Sequence, residues 1–119
     1  MKLFVLVLNR TSKLDELMTA FAKEKICGAT ILESIGMARE LYGSHHQEEE
    51  IPFFGYIRKY LQEERHSTSK TILTVMPDEQ VEIAAKIVED VVGSFDKPDT
   101  GIMFTVPIDF ARGKGLYKE

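Results

Sequence analysis

The chain has 119 residues, 44% of them hydrophobic and 29% charged, with a formal net charge of −4. This length suits a single domain over 1–119, and the composition excludes a disordered, collagen-like or low-complexity chain. Acidic residues outnumber basic ones 19 to 15, so no basic field exists to gather nucleic acid. No stretch approaches the roughly 20 apolar residues of a membrane helix, the opening apolar run is too short for a secretory signal, and the lone Cys27 makes no intrachain disulfide. The expectation is a cytoplasmic protein in a reducing compartment, without membrane insertion.

Leu3 to Leu8 is an uninterrupted apolar run ended by Asn9 and Arg10, and it reads as strand one. Ser12 offers a hydroxyl at a helix start, Asp15 sits in the first turn, and Leu14, Leu17, Met18 and Phe21 recur at helical spacing. The pattern predicts a helix over 13–25 closed by Gly28. Ala29 to Ile35 partly alternates and reads as strand two. From residue 70 the pattern repeats. Lys70 to Met76 echoes the opening strand, Pro77 and Asp78 introduce a helix striped by Val81, Ala84, Ala85, Val88, Val91 and Val92, Gly93 ends it, and Gly101 to Pro107 is strand four. Two βαβ halves predict an α+β, ferredoxin-like βαββαβ sandwich: a four-stranded antiparallel sheet, two helices on one face, and a long insert between strands two and three.

A sheet covered on one face alternates apolar with polar residues, yet Leu3 to Leu8 is apolar throughout and Ile102, Met103 and Phe104 follow suit in strand four. The second face is therefore expected to be buried against other copies of the chain. Residues 37–69 exceed what a hairpin needs, and connections of that length commonly carry function. Tyr42 to Glu50 is polar and acidic and reads as a solvated loop. Phe53, Phe54, Ile57 and Tyr60 recur at helical spacing after Pro52, which makes them candidate contacts for the chain's own domain or for a partner's groove.

Val75-Met76-Pro77-Asp78-Glu79-Gln80-Val81, the strand entry Thr100 to Phe104, the strand Thr30 to Gly36 and the Arg39 that follows it resemble PII-type nitrogen-regulatory signalling proteins. The resemblance spans roughly 1–40 and 70–112. It implies a regulator instead of an enzyme, assembled as a homotrimer, with an adenine nucleotide (ATP, ADP or AMP) as regulatory ligand in clefts between subunits and no required cofactor. It also implies a long loop after strand two that engages a target protein, whether transporter, enzyme or regulator.

At the matching positions, Gly36 and Arg39 resemble the base of that loop, and Gly101 resembles a glycine of the phosphate-contacting loop. Thr30 resembles a strand position near the nucleotide base, while the family's C-terminal basic pair is displaced here, with Arg112 and Lys114 as its approximate counterparts. Two positions depart from the family pattern: Glu40 replaces a glutamine and Ile102 a lysine. Lys97, four residues before Gly101, is the candidate substitute cation.

His45 and His46, beside Glu48, Glu49 and Glu50, have donor chemistry suited to zinc or copper. They keep open a CutA-type cation-binding trimer, which shares fold and assembly but has a short connection in place of the insert. A ligand-free adaptor trimer using the aromatic segment 53–61 is the further alternative. No Ser-His-Asp constellation, Walker loop or paired CxxC motif is present, and Cys27 at a helix end reads as a small buried hydrophobe, so catalysis is not expected.

Overall fold

The computed structural model describes residues 1–37, 40–41, 68–97 and 100–113. Its elements are β1 (Lys2–Leu8), α1 (Leu14–Lys23), β2 (Ala29–Ser34), β3 (Ser69–Met76), α2 (Val81–Val92) and β4 (Gly101–Pro107), with 3-10 turns at Thr11–Lys13 and Asp78–Gln80 leading into the helices. The strands form one antiparallel sheet in the order β2-β3-β1-β4. The protein is thus α+β, a four-stranded antiparallel sheet with two helices, compatible with a ferredoxin-like arrangement.

Side-chain alternation along the strands gives the sheet two faces. On one, Phe4, Leu6, Leu8, Ile72 and Met76 form a single buried cluster with Leu17 and Phe21 of α1 and Ala84, Val88 and Val92 of α2. The rings of Phe4 and Phe21 meet edge to face, with centroids 6.5 Å apart. Acidic Asp15 and Glu16 lie in the first turn of α1, where they complement the helix dipole.

The opposite face is built from three cross-strand rows. Ile102, Val7, Thr71 and Leu32 make the first, Phe104, Val5, Leu73 and Thr30 the second, and Val106, Leu3 and Val75 the third. None of these side chains belongs to the cluster that the helices cover. Ile102 is 56% exposed, Phe104 46% and Val106 43%. Apolar residues therefore occupy both faces of β1 and β4, as the unbroken runs in the sequence require.

Four local expectations change. Helix α1 covers 14–23 instead of 13–25, and Gly28 does not close it. The terminator is Lys25 at φ 65°: its amide donates to the Ala22 carbonyl (3.0 Å) and the Ile26 amide to the Phe21 carbonyl (2.9 Å), the paired bonds of a Schellman ending. Ser12 makes no side-chain cap, because it lies inside the 3-10 turn and not at the helix boundary. Strand β2 stops at Ser34, one residue before Ile35. Cys27 is exposed, since Ile26 takes the buried position after the turn.

Candidate functional site

Strand register decides which candidate residues share a region. Leu8 stands between Lys70 on β3 and Gly101 on β4, and Ser34 stands opposite Ser69. The chain therefore leaves β2 toward Gly36, and enters β4 through Lys97 and Gly101, at one end of the sheet. Those two exits are on opposite edges. Three interstrand spacings separate β2 from β4, roughly 14 Å at about 4.8 Å each.

Residues 93–97 and 100–101 are held closely to the end of β1. Gly93 caps α2 at φ 114°, and the Arg10 guanidinium donates to the Val92 carbonyl at 3.2 Å, a cation at a helix C-terminus. The Asn9 amide donates to the Thr100 carbonyl (3.2 Å). The buried Thr100 hydroxyl lies 3.0 Å from the Ser94 carbonyl and 3.3 Å from that of Lys97, and the Asp96 amide donates to Ser94 Oγ (3.1 Å). Lys97 is exposed on this braced loop. The exposed Lys97 ammonium, next to exposed Asp96, is the cation this region offers to an anion.

Arg10 and Thr100 are thus structural members of the loop that the sequence reading missed. The signal for Thr100 was present in its place directly before Gly101, but nothing around Arg10 announces a bond to a carbonyl 82 residues away.

The two candidate glycines differ. A Cβ on Gly101 would stand 2.1 Å from the Val7 carbonyl oxygen, and its φ is 135°, so the sheet itself demands glycine there. Among the described residues, a Cβ on Gly36 meets nothing within 4 Å. At this root the Glu40 amide donates to the Gly36 carbonyl (3.0 Å). Beside it, Thr71 Oγ1 donates to Ser34 Oγ (2.9 Å), Ser34 Oγ and Ser69 Oγ are bonded at 2.6 Å, and Ser69 Oγ donates to the Ser34 carbonyl (3.3 Å).

Thr30 is exposed on the helix-free face in the row with Leu73, four residues from Ser34 and so roughly 13 Å along the strand. Arg112 follows Pro107, which pairs with Lys2 at the other end of the sheet, and its guanidinium lies over the Phe110 ring at 5.2 Å. It does not converge with Gly101 through the strand register. Arg39, Lys114, His45, His46, Phe53, Phe54, Ile57 and Tyr60 lie outside the described residues. Among the described residues no cluster of three His, Cys, Asp or Glu side chains is placed to hold a metal, and no helix is long and apolar enough to cross a membrane. Comparison with models of known protein families and with curated proteins finds no match.

Proposed function

We propose that the chain is a PII-like signal-transduction protein: a ferredoxin-like subunit that assembles as a cytoplasmic homotrimer, takes a small ligand of the adenine-nucleotide class between copies, and regulates a partner protein through residues 37–69 without catalysing a reaction. The observation that carries this reading is the helix-free face of the sheet. Ile102, Phe104 and Val106 are exposed there, continuous with half-buried Leu3, Val7, Leu73 and Val75 around the buried Val5, an apolar surface of a kind that lone soluble subunits seldom present. Packing such faces together around a symmetry axis removes them from water and uses the same patch on every copy.

The two exits on opposite edges support a ligand shared between copies. A phosphate group spans only a few ångströms, so it does not touch both Gly36 and the Lys97 loop across roughly 14 Å of one sheet. An edge of one copy beside the other edge of the next brings the two together. Lys97 supplies a positive charge before β4, on which Ile102 stands where the family pattern has a lysine. A ligand bound there regulates a partner only if it favours one arrangement of 37–69 over another.

The test combines light scattering at micromolar concentration with calorimetry against ATP, ADP and AMP, each with and without magnesium. A trimer with saturable binding supports the proposal. A monomer removes its foundation, and a trimer that binds no nucleotide leaves the adaptor reading.

A further inference from the structure

The edge strand β2 presents a register problem that burial does not solve. None of its residues is buried: Ala29 and Ser34 are half-buried and the four between them exposed. A one-residue slip against β3 exchanges the faces of a strand, and where one face is buried that exchange is costly. Here it would swap Ile31, 43% exposed on the helix side, with Leu32, 46% exposed on the other. The two are similar apolar side chains in similar exposure, so the swap is close to neutral by hydrophobic burial.

What distinguishes the observed register sits at the Ser34 end. The three hydroxyls form a connected set of bonds: Thr71 donates to Ser34, the Ser34 and Ser69 hydroxyls are bonded to each other, and Ser69 lies within reach of the Ser34 carbonyl. Glu33 adds an ion pair with Lys70, directly opposite it. A slip by one residue breaks all of these together and leaves Ser69, 5% exposed, without its partners.

We propose that the Ser34, Ser69 and Thr71 hydroxyls, with the Glu33 and Lys70 pair, are a register latch for β2. Opening the latch lets β2 shift along β3, which carries the exit of the chain toward Gly36 by about 3.3 Å per residue of slip. The device is independent of the ligand reading, because it concerns only how β2 is held.

The experiment is hydrogen exchange on the full chain, comparing wild type with Ser34→Ala and Thr71→Val, with Thr71→Ser as the variant that keeps the hydroxyl. The expected result is exchange faster by roughly tenfold over 29–34 in the first two variants, near wild type in Thr71→Ser, and unchanged in the cores of α1 and α2. A disulfide trap reads the register directly. In a Cys27→Ser background, Ile31→Cys with Leu73→Cys places the two thiols on opposite faces in the observed register and on one face after a one-residue slip. Adding Ser34→Ala is expected to speed formation of this crosslink by roughly tenfold. Exchange that stays unchanged over 29–34, exchange that rises equally everywhere, or a crosslink rate indifferent to Ser34 each overturns the latch.

Discussion

The carbonyl oxygen of Val7 occupies the space that a side chain on Gly101 would need, 2.1 Å from the Cβ position. Relieving that contact moves a central strand against an edge strand, so Gly101→Ala is expected to lower stability by about 3 kcal/mol, read from urea unfolding. Gly36→Ala, whose new methyl meets none of the described residues within 4 Å, is expected to remain within about 0.5 kcal/mol of wild type. The pair separates a glycine required by the sheet from one free to serve a ligand: weaker ATP binding in a normally stable Gly36→Ala protein would assign Gly36 the second role. Equal stability of all three proteins would contradict the close approach at Gly101.

Lys25 holds a left-handed conformation that L side chains adopt at a cost, while the amides of Lys25 and Ile26 close the end of α1. Lys25→Gly keeps both bonds and removes the strain. Thermal unfolding is expected to show a gain of about 1 kcal/mol, and a loss would mean that the side chain contributes more than the strain takes away.

Thr74 is buried between Phe4 and Ala29 on the helix-covered face, and among the described residues its hydroxyl has no hydrogen-bond partner. Valine has nearly the same shape without that unmet group, so Thr74→Val is expected to stabilise by about 1 kcal/mol. If valine destabilises, the hydroxyl has an ordered water that the substitution displaces.

The ammonium of Met1 lies 2.7 Å from Asp78. Its hydrogen bond, followed by the charge of Lys2, holds the Asp78 carboxyl below the ordinary carboxylate range. A folded-state pKa below the unfolded one contributes stability that is present above the unfolded value, near about 3.9, and is lost as pH falls through the lower folded value. Asp78→Asn is expected to melt earlier than wild type at about pH 6, with the difference closing once the pH has fallen below the carboxylate range. Curves that coincide at every pH would show that solvent screens the exposed pair completely.

Phe104→Glu places a carboxylate in the middle row of the helix-free face, beside Val5. If helix-free faces pack together as proposed, sedimentation at micromolar concentration is expected to give a smaller species than wild type, with unchanged far-ultraviolet circular dichroism, because the new charge would be buried unpaired. An unchanged mass would remove this face from the proposed assembly.

The strands and helices were legible because their patterns are local. Six apolar residues from Leu3 to Leu8, the stripe from Val81 to Val92 and the Gly93 stop each carry their assignment within a few residues. The end of α1 was not, since glycine is the usual left-handed residue and Lys25 takes that position while Gly28 stands three residues on. The candidate site was legible only in part. Its loop and root could be named one residue at a time, but their separation onto opposite edges follows from the order β2-β3-β1-β4, a property of pairing between distant segments. Arg10 and the hydroxyl group of Ser34, Ser69 and Thr71 depend on the same long-range pairing.

The central position of β1 also bears on how the chain comes together during synthesis. The ribosome makes this strand first, yet both strands that flank it, β3 and β4, begin only at Ser69 and Gly101. At about 5–20 residues per second, the most apolar segment of the protein waits for several seconds before its neighbours exist. Until then its two hydrogen-bonding edges lack their native partners, so strand order alone makes yield expected to fall as expression rate rises.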